Sequence, residues 1–152
     1  MDYVYLRANG HRRAVLSPHP LRDISFMELQ PQAGFFEHRV VLGATAIRPE
    51  GDVGVYVTHL TNGDPEINRS QAESLVSFVA SGSDDFAILA GDFNATDDSP
   101  QIEPVTQQAV DIYGATHAEG SGFTCCVDDL SSPPRSTDQA HRPRIPVRIA
   151  ST

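Results

Sequence analysis

The run Phe86-Ala87-Ile88-Leu89-Ala90-Gly91-Asp92-Phe93-Asn94 sets apolar side chains on both parities of an extended segment and follows them at once with a carboxylate and an amide. An apolar stretch without alternation predicts a central strand covered on both sides. Period-2 geometry puts Asp92 and Asn94 on the same side of the backbone, just past the end of that strand. A polar pair where a buried strand meets solvent is the position at which open α/β sheets hold ligands.

The segment before this strand predicts a helix. Asp64-Pro65 combines a capping residue with proline at the first helical position, where its missing N–H costs nothing. Ile67, Gln71, Leu75 and Val79 then share one face, with Ala72 and Val76 alongside, and Ser81-Gly82-Ser83 ends the helix. Further upstream, Arg39 to Ile47 and Val53 to Leu60 read as two strands joined by Arg48-Pro49-Glu50-Gly51-Asp52, a hairpin-loop composition. Val53, Val55, Val57 and His59 share one parity, so His59 is presented at a strand end. Arg13-Ala14-Val15-Leu16-Ser17 reads as a short strand closed by the turn Pro18-His19-Pro20, and Ile24 to Leu29 as another. Downstream, Ser99-Pro100 opens a shorter helical stretch expected to be interrupted at Pro104 and to run to about Tyr113. Beyond Thr124 the sequence turns irregular. The fold class expected is α/β (α+β).

The chain of 152 residues is about one domain's worth, long enough to bury a core without disulfides. Twenty acidic residues against eleven basic ones, all of them Arg, give a net charge of −9. That balance disfavours duplex nucleic acid, whose binding leans on basic side chains neutralising phosphates. It leaves a small or lipid phosphoester, a metal ion or a locally basic groove open. The adjacent pair Cys125-Cys126 matches neither a disulfide framework nor a zinc spacing. No stretch approaches the roughly 18 apolar residues of a membrane span. Met1 to Arg7 lacks the form of a secretory signal, which leaves the cytoplasm as the default expectation.

Taken in order, these pieces resemble the endonuclease/exonuclease/phosphatase superfamily, with its DNase I-like fold of two packed mixed sheets flanked by helices. The resemblance is carried by Ala14-Val15-Leu16-Ser17 followed by Pro20-Leu21, similar to the family's "AVLSRYPI" hairpin. It is carried further by Thr58-His59-Leu60, by Arg69 and Gln71 in the following helix, and by Gly91-Asp92-Phe93-Asn94. Gly122-Phe123-Thr124 matches a less specific Gly-x-Thr segment, and the likeness spans roughly residues 12 to 128 of a single partial domain covering 1 to 152, with 129 to 152 as an irregular tail. It implies a phosphoester hydrolase of phosphodiesterase, phosphatase or nuclease type that depends on a divalent metal, Mg2+ or Mn2+. It also implies that Asp92 orients the attacking water and takes part in metal binding. Asn94 would bond a phosphate oxygen, His59 would donate to the phosphoryl group, and Arg69 would support the structure.

The family also draws a metal-binding Glu from a Gln-Glu pair ahead of the hairpin and a catalytic His from a Ser-Asp-His element near the end, and neither is present. Arg144-Ile145-Pro146 carries Pro where the family's Arg-Ile-Asp strand has Asp. The resemblance therefore implies the central part of such a domain, truncated at both ends and with impaired activity. The alternative is a non-catalytic remnant with at most weak metal binding.

Overall fold

The computed structural model describes residues 1–8, 11–34 and 38–116. Cys125-Cys126, Gly122-Phe123-Thr124, Arg144-Ile145-Pro146 and the tail from 129 lie outside them. Six strands and four helical segments follow in chain order: β1 (Asp2–Ala8), β2 (His11–Ser17), β3 (Leu21–Glu28), β4 (Val40–Ala46), β5 (Val53–His59), α1 (Pro65–Ala80), β6 (Ala87–Asp92), a 3-10 turn (Pro100–Ile102), α2 (Glu103–Gln108) and α3 (Ile112–Thr116). The described strands make two sheets: an antiparallel pair β1-β2, and a four-stranded sheet in the order β3-β4-β5-β6 that is antiparallel except for β5 and β6. The architecture is α+β, with the small sheet packed through β2 on β4 and β5 and with α1 on the other side.

The hairpin β4–β5 and the crossover β5–α1–β6 follow the sequence closely. Asp64 caps α1 through Oδ1, which accepts from the Glu66 and Ile67 amides, and Pro65 sits in the first turn. Leu75, Val79 and Ala72 of α1 close over Val41, Tyr56, Ala87 and Leu89 to make the main core, with Leu60, Phe93 and Ile102 at its end. The centre of the buried stripe of α1 is polar, however: Asn68 and Gln71 are fully covered, whereas Ile67 and Val76 are half-buried.

One strand was not anticipated, and three sequence expectations are corrected. Residues 2–8 form a strand, β1, that the patterning of Tyr3-Val4-Tyr5-Leu6 did not announce, because three of its side chains, Tyr3, Tyr5 and Arg7, face solvent. The Pro18-His19-Pro20 turn does not close a hairpin: β2 pairs with β1 and β3 with β4, so this turn carries the chain from one sheet to the other. Among the described residues β6 is the last strand of its sheet, not a central one. Only Ala87 and Leu89 are buried, while Ile88 and Ala90, on the opposite parity, are half-buried because the small sheet reaches β4 and β5. Pro104 does not interrupt a helix; it stands in the first turn of α2, where no amide hydrogen is needed, and the break comes instead after Gln108.

Candidate functional site

Parallel pairing of β5 with β6 aligns His59 with Asp92, both on the sheet face away from α1. The two strands end together, and Leu60 continues the ladder by donating its N–H to the Asp92 carbonyl at 2.9 Å. His59 Nε2 lies 3.6 Å from Asp92 Oδ2, an ion-pair separation slightly long for a hydrogen bond, and both side chains stay more than a third exposed at 38% and 45%. The other carboxylate oxygen, Oδ1, accepts from the Asn94 backbone N–H at 2.9 Å.

Backbone geometry explains why this tetrapeptide has these residues. Gly91 has φ +147°, and a Cβ there would overlap the Thr58 carbonyl of the neighbouring strand. Asn94 turns the chain with φ +48°, a left-handed conformation that asparagine tolerates better than most residues. Its Nδ2 donates to the Leu60 carbonyl at 2.8 Å, which binds the end of β6 to the end of β5. One amide hydrogen and the side-chain oxygen remain for other partners.

Two residues that the motif reading passed over complete the cluster. Arg13 lies on the inward parity of β2 with Val15 and Ser17, and Arg39 is buried just ahead of β4. Burial lowers the pKa of the Arg13 guanidinium, the charge of Arg39 lowers it further, and Asp92 opposes both effects. Arg39 is lowered by burial in the same way, with Asp92 again opposing. Arg13 donates through Nη1 to the Arg12 carbonyl, while its buried Nε and Nη2 have no hydrogen-bond partner. The Arg39 backbone is held by Gln32, whose Oε1 accepts the Arg39 amide at 2.6 Å and whose Nε2 donates to the Arg39 carbonyl at 3.2 Å. No sequence signal near Arg13 or Arg39 reveals this, since the charges involved come from segments far apart in the chain.

Arg69 lies apart from the cluster. Its guanidinium donates to Glu103 Oε2 at 3.1 Å and to the Pro100 carbonyl, and it pairs with Glu73 within α1, so it ties α1 to the turn and helix that follow β6.

The residues also bear on a divalent ion. Among the described residues no three His, Cys, Asp or Glu side chains gather as a metal-binding group. Asp92 can supply one oxygen ligand, and magnesium commonly takes only one or two from protein when phosphate and water supply the rest. The charges of Arg13 and Arg39 lie within electrostatic reach of that carboxylate and oppose a further cation there. The donor set thus suits an ion that arrives with an anionic ligand better than one held beforehand. No helix among the described residues is long and apolar enough to cross a membrane.

No protein-family model matches the sequence, and no curated protein matches it significantly. Solved structures do match the fold. A truncated TDP2 from Caenorhabditis elegans superposes with a TM-score of 0.71 at 13% identity, over 97% of this chain and 61% of that one. Sphingomyelinase C from Streptomyces griseocarneus gives 0.55 at 17%, over 64% and 38%. A Staphylococcus aureus beta toxin mutant with bound magnesium ions gives 0.61 at 15%, over 88% and 51%. The chain therefore spans less than two thirds of each of these structures, and at such identities what it shares with them is the DNase I-like fold.

Proposed function

We propose that this chain is a phosphoester hydrolase domain whose site lies at the common end of β5 and β6. One observation carries the reading: the exposed His59–Asp92 pair, 3.6 Å apart at the common end of β5 and β6, lies within electrostatic reach of the covered guanidiniums of Arg13 and Arg39. Cations beside a carboxylate and an imidazole match a phosphate that must be neutralised while water is brought to phosphorus. The fold neighbours, a sphingomyelinase and a magnesium-bound beta toxin among them, support the same class.

In this reading Asp92 orients the attacking water and accepts its proton. It is fixed for that task by the Asn94 amide on Oδ1. His59 donates to a phosphoryl oxygen, and Asn94 offers its remaining amide hydrogen to another. Arg13 adds its covered positive charge to the field around the phosphate. A Mg2+ or Mn2+ ion held by Asp92 would supply further charge neutralisation at phosphate oxygen. With a net charge of −9, a small or lipid phosphoester is favoured over duplex nucleic acid.

The test is hydrolysis of bis(4-nitrophenyl) phosphate and 4-nitrophenyl phosphate with Mg2+, with Mn2+ and with a chelator. Metal-dependent turnover that falls about 100-fold or more in Asp92→Ala is the expected result. Turnover equal in the wild type and the variant would overturn it. A second reading, a non-catalytic phosphate-binding domain, is favoured by the single carboxylate Asp92 at the cluster. It predicts that phosphate binding, measured by calorimetry, is weakened in Arg13→Gln while no hydrolysis is seen in either protein.

A further inference from the structure

We infer that Asn68 and Gln71, two buried amides of α1, are positioning residues for Asp92 and Asn94, each acting through one backbone peptide group at the end of the sheet. Their effect on catalysis rests on the phosphoester reading above, whereas the positioning itself rests on hydrogen-bond geometry alone.

The chain leaving β6 provides the first relay. The peptide group between Phe93 and Asn94 accepts from Asn68 Nδ2 at its carbonyl, at 2.9 Å, and donates its N–H to Asp92 Oδ1, also at 2.9 Å. A trans peptide is planar, with its carbonyl and N–H directed oppositely, so a bond made at one end constrains the direction of the bond at the other. Asn68 thereby reaches, from the α1 side, a carboxylate that belongs to the opposite face of the sheet. A donor on the carbonyl also polarises the N–H of the same amide, which strengthens its bond to the carboxylate.

The chain leaving β5 provides the second relay. The peptide group between Leu60 and Thr61 donates its N–H to Gln71 Oε1 at 2.9 Å, and its carbonyl accepts from Asn94 Nδ2 at 2.8 Å. Gln71 is anchored in turn, because its Nε2 donates to the Pro31 carbonyl at 2.7 Å. The second bond from Asn68 Nδ2 goes to the Thr61 carbonyl at 2.8 Å, which joins the two relays.

Adhesion of α1 to the sheet does not require these amides, since Ala72, Leu75 and Val79 of the same stripe supply it by apolar contact. Asn68 and Gln71 are 2% and 0% exposed, a burial that costs free energy unless their polar groups are bonded. Asn68 Oδ1 nevertheless has no partner among the described residues, so this side chain tolerates an unpaired acceptor while making both donor bonds. Apart from Pro31, the backbone groups that the two amides hold belong to Thr61 and Phe93, just beyond His59 and Asp92. The polar part of the stripe therefore serves the end of the sheet that carries the proposed site.

The experiment uses the full chain, 15N-labelled, as wild type, Asn68→Leu, Gln71→Met and Gln71→Glu, with Leu75→Ala as a destabilised control. In Asn68→Leu the Asn94 backbone amide proton is expected to move upfield, and kcat for bis(4-nitrophenyl) phosphate to fall about 10- to 100-fold at an unchanged KM. Gln71→Met should move the Asn94 side-chain amide signals, whereas Gln71→Glu, which keeps an oxygen for the Thr61 N–H, should restore them. Leu75→Ala should lower stability and move neither set. An unmoved Asn94 amide in Asn68→Leu, an equal movement in Leu75→Ala, or shifts with kcat unchanged would overturn the inference. If Asn68→Leu does not fold, the Gln71 pair decides: Gln71→Glu moving the Asn94 side-chain signals as far as Gln71→Met overturns it. The expected shifts without any hydrolysis by the wild type would uphold the positioning and count against the hydrolase reading.

Discussion

The two faces of the β5–β6 ribbon differ although they belong to the same residues taken alternately. Toward α1, Tyr56, Ala87 and Leu89 are buried in a continuous apolar core. Away from α1, Val57, Ile88, His59 and Asp92 are only half-covered, and the strands end in ionisable groups. The first face is where stability is made, because its side chains leave water completely. The second gives up burial so that a carboxylate and an imidazole stay reachable at the edge of a rigid frame. In the proposed reading, function is positioned by the sealed face and carried by the open one.

Three substitutions would break or sharpen that contrast. The largest effect is expected on the sealed face: Leu75→Ala, at a fully buried position, should cost about 2–5 kcal/mol in chemical denaturation. A cost below 1 kcal/mol would mean that the face is not packed as described. Asn68→Ala comes next, at about 1–3 kcal/mol, because it strips two buried carbonyls of their donor. It should also perturb the Asn94 backbone resonance, which Leu75→Ala should leave in place. The smallest effect belongs to the open face. Arg13→Leu removes a desolvated cation beside a second one, so its thermal unfolding should shift by less than the equivalent of about 1 kcal/mol, in either direction. A loss as large as that of Leu75→Ala would show that Arg13 holds the two sheets together.

The sealed face was legible in the sequence. The cap Asp64-Pro65, the helical spacing of Gln71, Leu75 and Val79, and the strand ending in Gly91-Asp92-Phe93-Asn94 are local signals, and local geometry honoured them. His59 beside Asp92 was also within reach, since it needs only that two strands with the right endings become neighbours. The approach of Arg13 and Arg39 was not, because it depends on how a second sheet is laid over the first. The half-burial of the outer face of β6 was misread for a related reason: unbroken apolarity signals two covered faces, whereas coverage of the outer one depends on how far β2 reaches. Asn68 was passed over because a polar residue inside a helical stripe reads as a solvent-facing side chain until both of its partners are seen.

Asn68 acts on the molecule as a spacer bar. One planar amide grips the carbonyls of Thr61 and Phe93, so the loops leaving β5 and β6 are held at a separation set by the width of that amide. A fixed gauge between two loop ends works as a ruler. Lengthening the bar by one methylene, as in Asn68→Gln, would reset that separation instead of erasing it.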